Sequence, residues 1–461
     1  MDPLVSTSFT FLVCACFAGL VFRPSWNLLE LRYSFVAMLL LGYGGQSFLV
    51  LINGERLQDV FLVPRLVPVV QAYVAGCVIA FWIGYHPARW TQWRYNELTT
   101  SFQVTAPKFS PFLALVILAA IPAVLEVLNY GTDYVFGQSE FERGHYSRIR
   151  DEKPLLEYFR VIGRAPRFPV AMAAGIAWQR LGKARYWVVP VLISIPLVAY
   201  FSRGMFLPFF VFLLGASFYV SNKKKLVYMT VAVAFAGASF VTGMAMRKYA
   251  ERTGLGNYSE LLSGDTNLEA TSVGVSMDKP LMALVDATNV LSTATKAFEL
   301  GPILEGDKVG GYVLAQLPIP SWTLPESVPP VNLNDDLGLH SDTARFPYSL
   351  VTEMYVFFGW PGCILFMFLG FAVGRTDRLI SDKNMLGQRP YLVAIIYGLV
   401  MYFLIRSFHS GLRSSLRPAL YLVAAYYVWV FLMRPRAAAP EKPSPIMDRI
   451  RKMPPRRGPG E

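Results

Sequence analysis

The sequence predicts an all-α polytopic membrane protein with about eleven transmembrane helices and one large extracytoplasmic loop. Of 461 residues, 54% are hydrophobic and only 16% are charged, whereas a soluble domain carries about a quarter charged residues. Apolar runs long enough to cross roughly 30 Å of hydrocarbon recur along the chain. In such a chain the net charge of +12 indicates orientation and contact with anionic lipid headgroups, so we expect no nucleic-acid partner.

Ten apolar crossings can be read directly from the hydropathy pattern. Eight runs have the length of a single crossing: 5–22, 33–52, 66–85, 111–128, 226–246, 349–373, 391–405 and 418–433. The run 186–220 is nearly twice as long and is interrupted by Arg203, which predicts two crossings joined by a hairpin. The short run 169–178 is either an eleventh, broken crossing or a re-entrant segment, because Pro166 and Pro169 interrupt its start.

The distribution of Lys and Arg predicts that the amino end lies outside and the carboxyl end inside. Cations occur in each short connection that this arrangement makes cytoplasmic, and they include Arg23, Arg32, Arg89, Arg94, Lys108, Arg180, Lys183, Arg185, Lys223, Lys224, Lys225, Arg375, Arg378, Lys383 and Arg389. Short cytoplasmic loops carry such an excess of positive charge.

Four regions follow from this topology. Residues 1–246 form an N-terminal bundle of about eight crossings with an outer loop at 129–168, and residues 247–348 form the large extracytoplasmic loop. Residues 349–433 contain the C-terminal crossings. The tail 434–461 is basic and rich in proline, so we expect it to be disordered. Loops as long as the large outer one are usually functional.

A stripe of apolar residues within the large loop predicts an amphipathic helix. Leu284, Leu291 and Phe298 recur at heptad spacing, and Leu281 precedes them. Such a helix either lies on the membrane surface or packs its apolar stripe against the rest of the loop.

Six cations lie at the predicted outer ends of crossings, where the positive-inside rule does not require them. They are Arg203, Arg247, Lys248, Arg406, Arg413 and Arg417, and His409 lies among the last three. A single arginine at the hydrocarbon boundary can simply extend to water. Six together favour a site for a phosphate or pyrophosphate group, because guanidinium groups match phosphate oxygens in bidentate geometry.

Two further residues are candidates for proton transfer. His340 ionises near neutral pH, although a histidine in a loop is as readily a solvated residue. Glu353 falls about one turn inside an otherwise apolar helix, where an ionised carboxylate costs roughly 2.5 to 3.5 kcal/mol unless it has partners. Alternatively, Glu353 forms a buried salt bridge whose only role is to fix helix packing.

The segment that contains Glu353 carries a resemblance to a known family. Its residues Pro347, Ser349, Glu353, Tyr355, Phe358, Gly359 and Gly362 match the pattern P-x-S-x-x-x-E-x-Y-x-x-F-G-x-x-G. This pattern resembles the signature of bacterial oligosaccharide repeat-unit polymerases, the O-antigen and exopolysaccharide polymerase family. The Ser202–Arg203–Gly204 hairpin and the proline-rich segment 317–322 are similar to features of the same family.

The resemblance implies a glycosyltransferase in the bacterial inner membrane. No aspartate cluster or histidine pair in the sequence has the spacing of metal ligands, so we expect no metal and no cofactor. The enzyme's substrate would be an oligosaccharide linked to undecaprenyl pyrophosphate, and a polysaccharide chain-length regulator is a candidate partner. The growing glycan would move to the next lipid-linked repeat unit, with His340 or Glu353 as the proton acceptor. The pyrophosphate would be held by Arg203 and, by position, by Arg247, Arg345, Arg406, His409, Arg413 and Arg417.

Three other functions remain open at the level of sequence. An O-antigen-ligase-like enzyme would use the same donor with a different acceptor. A polyprenyl-phosphate-dependent glycosyltransferase needs an acidic residue in an early outer loop, which Glu55 or Asp59 could supply. A non-enzymatic exporter of lipid-linked sugars would also use outer arginines, but it would need no general base.

Overall fold

The computed structural model is helical, and the part of the chain that it describes contains four helices long and apolar enough to cross a membrane. It describes residues 3–22, 27, 29–45, 63–90, 111–136, 139–140, 156, 159, 163, 166–199, 205–245, 252–253, 290–302, 306–315, 340–341, 344–345, 349–388, 390–408, 416 and 420. The four candidate spans are Pro3–Phe22, Pro64–Trp90, Phe112–Tyr130 and Pro390–Ser407. They support a helical membrane protein; the count of eleven and the orientation remain predictions. The run 418–433, apart from Leu420, and the tail lie outside the described residues.

The helices follow the apolar runs closely. In chain order they are α1 (Pro3–Phe22), α2 (Leu31–Leu39), α3 (Val67–Trp90), α4 (Pro111–Tyr130), α5 (Thr132–Phe136), α6 (Arg167–Leu181), α7 (Val188–Ala199), α8 (Leu207–Ser217), α9 (Asn222–Ala245), α10 (Leu291–Leu300), α11 (Gly306–Ala315), α12 (Leu350–Phe358), α13 (Phe366–Ser381), α14 (Lys383–Gln388) and α15 (Pro390–Ser407). The single run 186–220 does divide into two helices, α7 and α8. The short run 169–178 lies within the continuous helix α6.

Two antiparallel pairs of two-residue strands occur among the described residues. The strands are β1 (Ser139–Glu140), β2 (Arg252–Thr253), β3 (His340–Ser341) and β4 (Ala344–Arg345). β1 pairs with β2 and β3 pairs with β4. The first pair joins the two segments predicted as outer loops, because β1 lies in 129–168 and β2 in 247–348.

Close packing of α3 against α13 organises the first group of helices. A Cβ added at Gly84 would overlap the carbonyl of Met367, and one added at Gly370 would overlap the carbonyl of Phe81. Small residues at such contacts let helix backbones approach closely, which is how membrane helices gain van der Waals energy. Helices α1, α2 and α10 pack around this pair, and α12 reaches α3 through the ring contact between Tyr355 and Tyr73.

The second group is built in the same way around α6 and α8. A Cβ at Gly175 would overlap the carbonyl of Phe212, and one at Gly215 would overlap that of Met172. Helix α15 lies between the two groups, because it packs on α6 and also contacts α2 and α13. The hydroxyl of its Tyr397 donates to the carbonyl of Leu29, 2.8 Å away.

Asp377 of α13 holds the beginning of α2. The backbone N–H groups of Leu31 and Arg32 donate to Asp377 Oδ1 (2.6 Å) and Oδ2 (3.3 Å). The hydroxyl of Tyr85 donates to the same Oδ2 at 3.0 Å. Because the first N–H groups of a helix have no partner within the helix, a carboxylate from another helix here acts as its cap.

Two arginines that we predicted as cytoplasmic loop charges are in fact largely buried near Asp377. Arg32 is 1% exposed, and its Nε lies 2.8 Å from Glu30 Oε2. Arg89 is 11% exposed; its Nη2 contacts Glu30 Oε1 at 3.1 Å and donates to Ser381 Oγ at 2.8 Å. Three predicted connections on the cytoplasmic side therefore meet at one end of the bundle.

Hydropathy predicts one continuous helix over the run 349–373, but in the structure this run is broken. α12 has nine residues and ends at Phe358, and Gly359 with a 3₁₀ segment (Trp360–Leu365) separates it from α13. Gly359 has φ of +61°, a left-handed conformation that favours glycine. α12 alone, at about 1.5 Å per residue, is too short to cross the hydrocarbon.

The described part of the apolar stripe in the large loop packs against the helices. Within α10, Leu291 and Phe298 are both buried, and α10 contacts α3 and α12. These two residues thus pack on the first group of helices, while Leu281 and Leu284 lie outside the described residues.

Candidate active site at the beginning of helix α12

Ser349 fixes the beginning of α12. Its Oγ accepts a hydrogen bond from the backbone N–H of Thr352 at 3.3 Å, which is the usual bond of a serine at a helix N-cap. Ser349 and Thr352 are both buried. The serine of the family-like pattern therefore has a role in local folding.

Tyr43 supports this cap from another part of the chain. It lies in a π-helical turn (Leu40–Gly45) that continues α2, and its buried hydroxyl is hydrogen-bonded to Ser349 Oγ. π-helical turns within helices occur frequently at functional sites. The end of α2 is thereby joined to the beginning of α12.

Glu353 lies one turn inside α12 and is 3% exposed. The hydroxyl of Tyr312, on α11 of the large loop, donates to Glu353 Oε2 at 3.1 Å. The ring of Tyr312 stacks on Phe357, one turn further along α12, with ring centroids 3.7 Å apart. Stacking and hydrogen bonding together hold the hydroxyl of Tyr312 on the carboxyl group.

An aromatic cluster joins α10 to α12 and α3. Phe298 stacks on Tyr355 with centroids 3.4 Å apart, and Tyr73 meets both rings edge-on at 5.5 Å. Trp360 also meets the ring of Tyr73 edge-on, at 5.6 Å. The tyrosine of the family-like pattern is thus part of the packing that holds α12 in place.

The two glycines of the pattern are also explained by folding. Gly359 supplies the left-handed backbone at the end of α12. A Cβ at Gly362 would overlap the carbonyl of Met354, so glycine lets the 3₁₀ segment lie close to α12. The carboxyl group of the pattern, Glu353, is hydrogen-bonded to Tyr312 of α11, outside α12 itself.

The other predicted site residues are described only in part. The β3–β4 ladder pairs His340 with Arg345, so these two backbones are neighbours a few residues before α12. Arg406 is exposed in the last turn of α15. Arg203, Arg247, Lys248, His409, Arg413 and Arg417 lie outside the described residues, as do Glu55 and Asp59.

Comparison with protein-family models, with curated proteins and with solved structures found no match.

Charged residues of α10 form exposed ion pairs near this site. Lys296 Nζ donates to Glu299 Oε2 at 2.7 Å, and Arg65 Nη2 contacts Glu299 Oε1 at 3.3 Å. The hydrogen bond from Lys296, aided by Arg65, holds the pKa of the Glu299 carboxyl below its usual range. Glu299 is therefore an ionised, accessible counterpart to the buried Glu353.

A buried polar cluster near the end of α4 was not predicted from the sequence. Glu126 is fully buried, Asn129 is 2% exposed, and Arg167 Nη2 of α6 lies 3.9 Å from Glu126 Oε1. The signal was present, because a carboxylate within an apolar membrane helix needs partners. Tyr312 gave no comparable signal, since nothing in the sequence around it indicates its contact with Glu353.

The arrangement at α12 is suited to proton transfer. A buried carboxyl group beside a neutral donor can accept a proton from a hydroxyl brought next to it. In the part of the chain that the structure describes, no group of three His, Cys, Asp or Glu side chains has the geometry of a metal site.

Proposed function

We propose that the protein is a glycosyltransferase of the bacterial inner membrane that extends a polysaccharide. It transfers the growing glycan from undecaprenyl pyrophosphate to a hydroxyl of the next lipid-linked repeat unit, on the extracytoplasmic side. The observation that carries this proposal is the buried Glu353, with Tyr312 donating to it, inside the segment that resembles the polymerase signature.

An ionised carboxyl group is costly to bury in an apolar bundle unless it has partners, and ionisable residues inside membrane bundles are frequently functional. The serine, tyrosine and glycines around Glu353 each have a structural explanation. Glu353 is not needed to begin or end α12, because Ser349 and Gly359 do this. Glu353 joins α12 to α11 through Tyr312, and its place inside the family-like pattern supports a chemical role as well.

The proposed reaction forms one glycosidic bond and breaks another bond. The acceptor hydroxyl attacks the anomeric carbon of the glycan, and its proton passes to Glu353 or His340. The bond from the anomeric carbon to the pyrophosphate oxygen breaks, and the lipid pyrophosphate leaves with the bonding electrons. Arginines at the outer ends, Arg203 and Arg413 foremost, would stabilise the charge that develops on the leaving group.

Tyr312 acts in this proposal by positioning the carboxyl group. Its ring is fixed on Phe357, so its hydroxyl keeps Glu353 in one orientation. A hydrogen bond to a charged group contributes about 1.5 to 3 kcal/mol, so Tyr312→Phe should lower the rate by roughly ten-fold or more without abolishing it.

The test is replacement of Glu353 by Gln in cells that produce the polymer, with Glu299→Gln as the matched control. Glu353→Gln should abolish polymer while the protein remains in the membrane, because general-base catalysis contributes roughly 10² to 10⁴ in rate. Glu299→Gln, which changes an accessible carboxylate, should leave polymer length unchanged. His340→Ala in the same assay tells which of the two groups takes the proton.

The lipid-linked intermediates separate this enzyme from the alternatives. A disabled polymerase leaves single repeat units on lipid at the outer face, whereas a disabled exporter leaves them at the cytoplasmic face. A disabled ligase leaves full-length polymer on the lipid. Normal polymer length in Glu353→Gln would remove the carboxyl group from the mechanism.

A further inference from the structure

A strongly basic surface lies where α6, α8 and α9 meet at one end of the bundle. Its members are Arg180, Lys183, Arg185, Lys223, Lys224 and Lys225. Within the described part of the chain, none of the six forms an ion pair with a carboxylate. We call these six residues the basic rim.

The two halves of the basic rim belong to one surface. Tyr228, in the second turn of α9, donates to Gln179 Oε1 of α6 at 3.4 Å, and its ring stacks on Trp178. Arg180 lies over the ring of Tyr219, 5.6 Å from its centroid, in the turn that leads into α9. The turns 181–187 and 218–225 are therefore neighbours.

Aromatic rings hold the arginines of the rim in place. The guanidinium carbon of Arg185 lies 4.6 Å from the ring centroid of Phe112. When a guanidinium group stacks face-on over an aromatic ring, the N–H groups at its edge can still donate hydrogen bonds to an anion such as phosphate. The turn between the arginines is also fixed, because Gly182 ends α6 in the left-handed conformation with φ of +64°.

The helix dipole disfavours the position of the lysines of the rim. They occupy the first turn of α9, where the positive end of the helix dipole disfavours cations. Lys223 and Lys224 are exposed at the beginning of a helix and have no carboxylate partner among the described residues, so they are available to a negatively charged partner outside the chain.

Exposed aliphatic side chains directly next to the rim favour a lipid as the partner. Leu226 and Val227 follow the lysines and are each 58% exposed, and Val188, just after the arginine turn, is 44% exposed. A soluble polyanion would contact only the cations, whereas a phospholipid also places its acyl chains on such apolar surface.

We propose that the basic rim binds anionic phospholipid headgroups of the adjacent leaflet, such as phosphatidylglycerol. The phosphate lies among Arg180, Arg185 and the lysines, and the acyl chains lie along α7 and α9. Basic surfaces between membrane helices bind lipids in this way, and each cation near an anionic surface contributes about 1 kcal/mol, which is about five-fold in affinity. This proposal does not depend on the glycosyltransferase reaction.

The experiment measures binding of short-chain phosphatidylglycerol to the full chain in neutral detergent by native mass spectrometry. Phosphatidylcholine with the same chains and inorganic phosphate are the comparison ligands. Phosphatidylglycerol should bind more tightly than phosphatidylcholine, and inorganic phosphate should not displace it. Lys223→Gln with Lys224→Gln should weaken that binding by roughly 30-fold, since two cations are lost.

A matched control removes two cations at another place. Arg65→Gln with Lys296→Gln should leave the preference for phosphatidylglycerol unchanged, because these residues pair with Glu299. With the unaltered protein, raising the salt from about 0.1 to about 1 M should also weaken binding, as the screening length falls from about 10 Å to about 3 Å. Equal binding of both lipids, displacement by inorganic phosphate, or full affinity in the lysine variant would each overturn the proposal.

Discussion

Removal of the Asp377 side chain tests what holds α2 against α13. In Asp377→Ala, the N–H groups of Leu31 and Arg32 and the hydroxyl of Tyr85 all lose their acceptor. A net cost of about 1 kcal/mol for each bond gives about 3 kcal/mol in the free energy of unfolding. Asp377→Asn keeps an oxygen for Leu31 but presents an amide donor in place of Oδ2, so the bonds from Arg32 and Tyr85 are lost and it should cost about 2 kcal/mol.

The measurement is unfolding in mixed micelles by a denaturing detergent, followed by tryptophan fluorescence. Tyr85→Phe should cost about 1 kcal/mol in the wild-type background and close to nothing in Asp377→Ala, because its partner is already absent. This non-additivity distinguishes a direct hydrogen bond from a general loosening of the bundle.

The control is Asp382→Ala, which removes an exposed carboxylate five residues further along the chain. Asp382 Oδ1 accepts a bond from the N–H of Met385 at 3.3 Å, and its removal should cost less than about 1 kcal/mol. The reasoning fails if Asp377→Ala unfolds with the wild-type free energy, or if the effects of Asp377→Ala and Tyr85→Phe simply add.

Two further predictions concern helix packing and the support of α12. Gly370→Ala should destabilise the protein by roughly 1 to 3 kcal/mol, because its Cβ overlaps the carbonyl of Phe81. Gly237→Ala, with no neighbour within 4 Å of the added Cβ, should be neutral or stabilising in the same unfolding assay. Ser349→Ala should lower the free energy of unfolding by about 1 kcal/mol through loss of the cap. Tyr43→Phe should lower it little further in the Ser349→Ala background, because the bond between the two hydroxyls is already lost. A full additional cost of Tyr43→Phe in that background would contradict this hydrogen bond.

The sequence was sufficient to predict features that depend on local pattern. Hydropathy located the long helices α1, α3, α4 and α15. The interruption at Arg203 predicted that α7 and α8 are separate. Glu353 could be recognised because a single carboxylate stands out in an apolar helix, and its burial beside Tyr312 agrees with the expectation that it faces a partner.

Features that depend on contacts between distant segments could not be predicted. Asp377 caps a helix whose first residue is 346 positions away in the chain, and no local pattern encodes that pairing. Arg32 was interpreted as a loop charge because the positive-inside rule considers sequence position alone, whereas the fold buries it beside Glu30. The break after α12 depends on the backbone of Gly359, which hydropathy does not register.

The segment from Leu31 to Gly45 links α12 and α13, the two helices on either side of the break at Gly359. Its first turn is fastened to α13 through Asp377, and its π-helical turn is fastened to Ser349 at the start of α12 through Tyr43. α12, α13 and this segment therefore form the three sides of a triangle with Gly359 at one corner. Because both ends of this segment are held, α12 and α13 cannot pivot freely about Gly359. The position of Glu353 along the bundle therefore depends partly on the contact of Asp377 with Leu31, at the far end of α13.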